Sequence, residues 1–239
     1  MIMERYIKHI NFEGIGESGQ ARLLSSTVFI VGAGGLGTNF SNHFVRAGVG
    51  NIRIIDHDKV ELSNLQRQLF YEEADIGSYK VEALCEKLRR VNSEIKLEGI
   101  RAKLDESNAA QLIGKPDLLI DASDNFKTRF IIDRFCKDAK LPWIFTGIIA
   151  SGGQSCFIHP DDPTLADIMN TFGLSEHDDL SSLEPGDSVS VLSPSVSALS
   201  SFAASIAIKF LVNRDDPSVR KKIYFLDPWE ESFKVLPLV

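Results

Sequence analysis

Six consecutive residues, Gly32-Ala33-Gly34-Gly35-Leu36-Gly37, set glycines at the spacing G-x-G-x-x-G. Glycines so placed let a backbone close on phosphate oxygens, because no Cβ stands in the way. The loop follows an apolar run, Thr27-Val28-Phe29-Ile30-Val31, and leads into a helical stretch. The N–H groups and positive end of that helix would attract an anion. Asp56 closes the next apolar run, where an acid accepts hydrogen bonds from ribose hydroxyls. Gly32, Gly34, Gly35, Gly37 and Asp56 are therefore read as nucleotide-binding residues. The motif alone does not choose the nucleotide. NAD is its ordinary reading, and a structural tight turn is the bland one.

Residues downstream turn the reading away from a dehydrogenase, for which no hydride-site residues are evident. Asp58 stands beside the ribose acid. Ser63-Asn64-Leu65-Gln66-Arg67-Gln68 and Gly77-Ser78-Tyr79-Lys80 follow within one connection. Arg67 and Lys80 would offset the charge of a triphosphate; the alternative is two surface cations on a loop. Asp124 lies just past the apolar run Leu118-Leu119-Ile120-Asp121-Ala122, at the end of a strand where ligands bind in parallel sheets. It could hold Mg²⁺ against phosphate oxygens. It could also cap the following helix, as could Ser123.

These residues need a scaffold, and the hydrophobic pattern supplies one. Residues 14–25 read as a short helix. The run 27–31 suits a central strand buried on both faces. A helix over 36–47 is stopped by Gly48 and Gly50, and 52–56 is the second strand. Helices follow at 80–91, 107–113 and 125–139, with strands at 95–100, 118–122, 143–147 and 154–159. Residues 160–194 hold Pro160, Pro163, Pro185 and Pro194 among many Ser and Asp, and read as a long loop. Within it, 175–187 carries Glu176, Asp178, Asp179, Glu184 and Asp187, either a solvated loop or a lid. A buried helix over 196–212 and two antiparallel strands, 222–227 and 232–235, complete the chain. The fold class is α/β: a Rossmann-like, doubly wound, mostly parallel sheet with antiparallel C-terminal strands. One domain spans 1–239, with an N-terminal arm (1–26), a nucleotide-binding core (27–159), a crossover loop facing the acceptor (160–194), and C-terminal helix and strands (195–239).

Bulk properties narrow the function. Apolar residues make up 44% of the chain, enough for an ordinary core, and the formal net charge is −7. That balance argues against nucleic acid or an anionic membrane as partner. The 196–212 stretch is short for a membrane span and contains Lys209. Cys85, Cys136 and Cys156 form no C-x-x-C pair, and Cys85 and Cys136 sit on apolar helix faces as structural thiols. A reducing cytoplasm fits them best. His9 and His159 look exposed and receive no role.

Arg5-Tyr6, Gly32 to Gly37, Ala47-Gly48-Val49-Gly50, Asp56, Ser63 to Gln68, Gly77, Lys80-Val81-Glu82 and Asp124-Asn125 together resemble the ThiF/MoeB/HesA adenylating enzymes, relatives of ubiquitin-activating enzymes. The resemblance runs from about Arg5 to Val235 in order and spacing. It implies that Gly35 lies against ATP phosphates and that Asp56 binds the ribose with Asp58 nearby. Asn64, Arg67, Gln68 and Lys80 would meet the nucleotide, and Asp124 would position Mg²⁺. The reaction implied is attack of a carboxylate on the α-phosphate, giving an acyl-adenylate and pyrophosphate. It also implies a homodimer, with an N-terminal arginine reaching into the partner's ATP site.

The sequence departs from that pattern in three places. Lys8 stands where the family usually has a second arginine, so Lys8 or Arg5 would serve. The first zinc C-x-x-C pair would fall at Thr164 and Asp167 and the second past Val235, so no zinc is expected. The crossover-loop cysteine would lie near Gly186, and no Cys occurs from 157 to 239. These absences lean the reading towards a small-molecule carboxylate in cofactor assembly. The HcgE-type members, which adenylate a pyridinol carboxylate of the iron-guanylylpyridinol cofactor, are of that kind. The alternatives are activation of the C-terminal glycine of a ubiquitin-like sulfur carrier for thiamin or molybdopterin synthesis, and a non-catalytic nucleotide-binding scaffold.

Overall fold

The structure is a computed structural model that describes residues 2–175, 177–180 and 190–238. Five strands run parallel: β1 (Thr27–Val31), β2 (Asn51–Ile55), β3 (Lys96–Ile100), β4 (Leu118–Asp121) and β5 (Trp143–Ile149). Three more extend the same sheet in antiparallel fashion: β6 (Gly152–Ile158), β7 (Lys222–Asp227) and β8 (Ser232–Pro237). The order is β3-β2-β1-β4-β5-β6-β7-β8. The expected mostly parallel sheet with antiparallel C-terminal strands is thus observed. β1 lies between β2 and β4, so successive connections leave it in opposite directions. Ligands bind at such a switch point, outside the carboxyl ends of the strands.

The helices are α1 (Ile2–Arg5), α2 (Ile7–Ile10), α3 (Gly16–Ser25), α4 (Gly35–Ala47), α5 (Lys80–Val91), α6 (Ala109–Ile113), α7 (Phe126–Ala139), α8 (Leu165–Thr171) and α9 (Ser193–Val212). They cover both faces of the sheet. On one face Val28 and Ile30 join Phe40 and Phe44 of α4, Leu84 of α5 and Phe210 of α9. On the other, Phe29 and Val31 join Phe130 and Ile132 of α7 and Met169 of α8. This two-sided burial is why the β1 run is apolar at every position rather than at alternate ones. Each such side chain contributes about 1.5–3 kcal/mol of transfer free energy.

Two expectations for the second half need correction. The stretch 160–194 is not one loop. Thr164 and Asp167 form a reciprocal capping box that starts α8, with Thr164 Oγ1 accepting from Asp167 N–H at 3.1 Å and Thr164 N–H donating to Asp167 at 2.9 Å. Buried Asp133 of α7 accepts from the N–H groups of Leu165 (3.0 Å) and Ala166 (3.2 Å). The acids and Ser/Thr that suggested a loop are partly helix-starting residues. Likewise Pro194 lies in the first turn of α9, where a missing N–H costs nothing. Glu176, Glu184, Gly186 and Asp187 lie outside the described residues.

The helix α9 is long and apolar enough to cross a membrane by length and composition, yet 61% of its most apolar window is buried within the protein. It packs on α4, α3 and β6 as the core helix expected of 196–212. Cys85, Cys136 and Cys156 are all buried and unbridged. His9 and His159 are half-buried rather than exposed; His9 Nδ1 lies 3.1 Å from Gln20 Oε1 and His159 Nδ1 lies 3.4 Å from Asp161.

Candidate active site

A cleft of about 610 Å³ opens beyond the carboxyl ends of the parallel strands. Gly32, Gly34, Gly35, Asp56, Asp58, Asn64, Arg67, Gln68, Lys80 and Asp124 all line it, although they come from five separate segments. Gly37, Arg5 and Lys8 do not. The cleft gathers Lys59, Arg67, Lys80 and Lys103 in a chain whose net charge is −7, with Asp56, Asp58, Glu61 and Asp124 lining the same space. Cations brought together in one cleft of an acidic protein suit a polyphosphate.

The glycines divide their work. Gly32 has φ +101°, and a Cβ there would sit 2.5 Å from the Ala122 carbonyl oxygen. A Cβ on Gly37 would sit 1.9 Å from the Gly32 carbonyl oxygen. These two therefore let the loop fold on itself and seat against the end of β4. Gly34 caps α4 in an extended conformation, and its nearest neighbour would be Gln68 Nε2 at 3.6 Å. A Cβ on Gly35 would point at Val196 (3.0 Å) and the Arg67 carbonyl (3.3 Å). Its backbone, not a vacant space beside it, is what it offers to a ligand.

Asp56 is locked in place. Its Oδ2 accepts from Ala33 N–H at 2.7 Å and its Oδ1 from Asp58 N–H at 2.8 Å. Burial pushes its carboxyl up from the ordinary range, while Lys80 and the two N–H donors pull it back. Each oxygen keeps a second lone pair for a hydroxyl donor. Lys80 opens α5 with its side chain buried, and Nζ lies 3.0 Å from Asp58 Oδ2. Burying a cation beside one exposed carboxylate leaves it facing the cleft with capacity for further acceptors.

Tyr71 ties these parts together, and sequence reasoning missed it. Its hydroxyl donates to the Ala33 carbonyl at 2.7 Å and lies 3.2 Å from the Lys80 carbonyl. It thereby braces the glycine loop against the start of α5. A lone tyrosine in a loop gives no sequence signal for this.

The Asn64–Gln68 segment follows a short 3-10 turn, Leu62–Asn64. Asn64 Oδ1 accepts from Glu61 N–H at 3.1 Å, so its acceptor is used to hold the turn. Arg67 is half-buried and donates to the Ser63 carbonyl at 3.0 Å. Gln68 is buried, and its Oε1 has no hydrogen-bond partner among the described residues. A buried polar atom of that kind is normally satisfied by water or ligand.

Asp124 is exposed in the cleft and accepts from Asn125 Nδ2 at 3.2 Å. Neither it nor Ser123 caps α7. Asn125 does, its Oδ1 accepting from Thr128 N–H at 2.9 Å. The capping alternative for Asp124 therefore falls, and its carboxylate is left for a ligand. Magnesium takes hard oxygen donors and is commonly held by one or two carboxylates plus substrate phosphates. A solvent-facing carboxylate in the cleft that Arg67 and Lys80 also line fits that donor set.

Arg5 and Lys8 are not brought to this cleft by their own chain. Arg5 binds the far end of α5, with Nη1 3.1 Å from the Val91 carbonyl and Nε 3.3 Å from Glu94. Tyr6, buried, receives a hydrogen bond from Asn92 at 2.9 Å. The arm thus sits at the C-terminal ends of α4 and α5, about 20 Å along α4 from the glycine loop. Lys8 is exposed there.

Known proteins resemble this chain in sequence and in fold. The sequence model of the ThiF family matches residues 6–238. The molybdopterin-synthase adenylyltransferase of Escherichia coli is 35% identical over 225 residues, covering 93% of this chain and 88% of that protein. The SAMP-activating enzyme E1 of Haloferax volcanii is 38% identical over 161 residues. That match covers 67% of this chain and 60% of the relative, less than two thirds of its length. Among solved structures, E. coli MccB with MccA-N7isoASN superposes with a TM-score of 0.85. At 22% identity, over 99% of this chain and 72% of that one, the likeness is one of fold.

Proposed function

The chain belongs to the ThiF family, and from that premise we propose that it is an ATP-dependent adenylyltransferase acting on the C-terminal carboxylate of a carrier protein. The observation that carries this reading is the convergence of Arg67, Lys80 and Asp124 on the glycine loop in one cleft. The sequence alone leaned to a small-molecule carboxylate, on the strength of the missing cysteines. The name of a further relative favours the carrier instead: the sulfur carrier protein ThiS adenylyltransferase of Bacillus subtilis, 33% identical over 220 residues and 90% of this chain.

In this reading ATP lies across the glycine loop with its ribose at Asp56. The carrier's carboxylate oxygen attacks the α-phosphorus. The bond from that phosphorus to the bridging oxygen breaks, and pyrophosphate leaves with the electron pair. Arg67 and Lys80 offset the charge that builds on the departing phosphates. Magnesium held by Asp124 would neutralise phosphate charge at the same place. No side chain need act as nucleophile, since the chemistry depends on positioning and charge.

A homodimer belongs to the same reading, and the N-terminal arm would act in the cleft of a second copy. Lys8 is free to do so as it stands, whereas Arg5 would first have to leave Glu94. ATP–pyrophosphate exchange, run with a panel of carrier-protein tails and small carboxylates, tests the proposal. Exchange that depends on a carrier with an intact C-terminal glycine is expected. Exchange with small carboxylates only would return the substrate to the small-molecule class. Tight ATP binding with no exchange under any condition would leave only a scaffold.

A further inference from the structure

The loop that carries Asp124 is held by a buried ion pair. Asp121, the last residue of β4, is fully buried, and Arg129, on the first turns of α7, is 3% exposed. Arg129 Nε lies 3.5 Å from Asp121 Oδ2, and neither of those two atoms has a hydrogen-bond partner among the described residues. Between them they grip one residue. Asp121 Oδ1 accepts from both the N–H (2.9 Å) and the hydroxyl of Ser123. Arg129 Nη2 donates to the Ser123 carbonyl at 3.1 Å. The guanidinium is also stacked between aromatic rings, 4.8 Å from the centroid of Phe126 and 5.3 Å from that of Phe145.

Such a pair is costly to bury and adds little stability compared with an apolar core. It does fix geometry. Ser123 is held at its N–H, hydroxyl and carbonyl, and Asn125 is fixed as the cap of α7. Asp124 is the residue between them. The preceding carbonyl, that of Ala122, packs on Gly32 at a distance that leaves no room for a Cβ. The backbone on both sides of Asp124 is thereby fixed relative to the glycine loop.

We propose that Asp121 and Arg129 are positioning residues that aim the Asp124 carboxylate at the metal-bound phosphates of ATP, through their shared hold on Ser123. This rests on the adenylyltransferase reading above. It assigns the ion pair a role in metal affinity rather than in nucleotide affinity, because neither residue supplies a group to the ribose side of the cleft. Groups that orient a metal ligand typically change metal affinity or activity by about 10- to 100-fold when altered.

The test measures Mn²⁺ binding to the full chain with a non-hydrolysable ATP analogue, by electron paramagnetic resonance. Metal-free affinity for the same analogue is measured by calorimetry, and circular dichroism reports the fold. Arg129→Lys keeps the charge and loses the fork; Ser123→Ala removes the hydroxyl and leaves the ion pair intact. The expected result for Arg129→Lys is Mn²⁺ affinity weakened by about 10-fold or more, with metal-free nucleotide affinity within about twofold. Ser123→Ala is expected to weaken Mn²⁺ in the same direction by a few-fold, and it decides the matter if Arg129→Lys does not fold. Unchanged Mn²⁺ affinity in the folded variants overturns the proposal. Asp124→Ala separates the two levels. If it also leaves Mn²⁺ binding unchanged, the metal role of Asp124 fails; if it abolishes binding while the other two variants do not, only the positioning role fails.

Discussion

The two halves of the sheet are built differently, and the difference sorts what the chain does from what it does it to. In the parallel half, β1 to β4, polar groups at the strand ends are held by backbone donors and by each other. Asp56 takes two N–H groups, Asp121 and Arg129 fix Ser123, and Tyr71 braces the glycine loop. In the other half, β5 to β8 with the helix that leads into β5, the fixed polar groups hold secondary structure rather than line the cleft. Asp133 anchors α8, and Arg220 forms a two-pronged ion pair with buried Asp162 at 2.6 and 3.0 Å. The proposed nucleotide site is thus preorganised by polar contacts that are in place without a ligand. The region proposed to face the acceptor, 160–194, contributes Ser190 and Val191 to the cleft lining. ATP can be read from such a chain; the acceptor cannot be read as directly.

Four outcomes would break or sharpen that comparison. The largest is expected for Asp124→Ala: a loss of exchange of about 10²- to 10³-fold with the fold retained. Unchanged exchange would remove the metal assignment from the parallel half. Next comes the arm. Lys8→Ala should lower exchange about tenfold, on the scale of one charge-assisted contact to phosphate (about 1.5–3 kcal/mol). The loss should be partly rescued by mixing with a chain that keeps Lys8 but carries Asp124→Ala, because its arm then completes the one cleft of the mixed dimer that keeps Asp124. No rescue would place the arm outside the partner's cleft.

A smaller effect should fall on the acceptor side alone. Arg220→Met leaves Asp162 buried without its partner, which costs about 3 kcal/mol or more of stability and loosens the entry to α8. ATP affinity should stay within about twofold while KM for the carrier rises several-fold, a split consistent with lost acceptor binding. Equal losses in both would show that the halves are not separable. The smallest effect concerns the thiols. Burial pushes the Cys85 thiol up to about 11 and also raises the thiols of Cys136 and Cys156. A raised thiol pKa keeps the neutral form up to higher pH, and the neutral form is unreactive. Iodoacetamide at neutral pH should leave exchange unchanged. Rapid inactivation would mean that one of these thiols opens to the cleft.

Legibility followed the same division. The run Thr27-Val28-Phe29-Ile30-Val31, Gly32, Gly34, Gly35 and Asp56 obey local rules and lie at the strand and the cleft as read, whereas Gly37, read as a nucleotide-binding residue, does not line the cleft and packs against the Gly32 carbonyl. Lys80, Arg67 and Asp124 could be picked out because charge at the carboxyl end of a parallel sheet has a known use. The α8 helix was missed because Thr164 and Asp167 look like loop residues until they are seen to cap each other. Arg129 and Tyr71 were missed for another reason. Their roles depend on partners 8 to 38 residues away in sequence, at Asp121 and Ala33, and no local pattern encodes that. The position of Arg5 also lay beyond local reading, since it depends on Glu94 and Val91 at the far end of α5.

The central claim is that this chain transfers AMP from ATP to the C-terminal carboxylate of a carrier protein. Mass spectrometry of a carrier with a C-terminal glycine, incubated with the enzyme, ATP and Mg²⁺, tests it most directly. The account predicts a carrier species heavier by one adenylyl group, formed only when the terminal glycine is present and lost with Asp124→Ala. An unmodified carrier, alongside an adenylated small carboxylate under the same conditions, would contradict it.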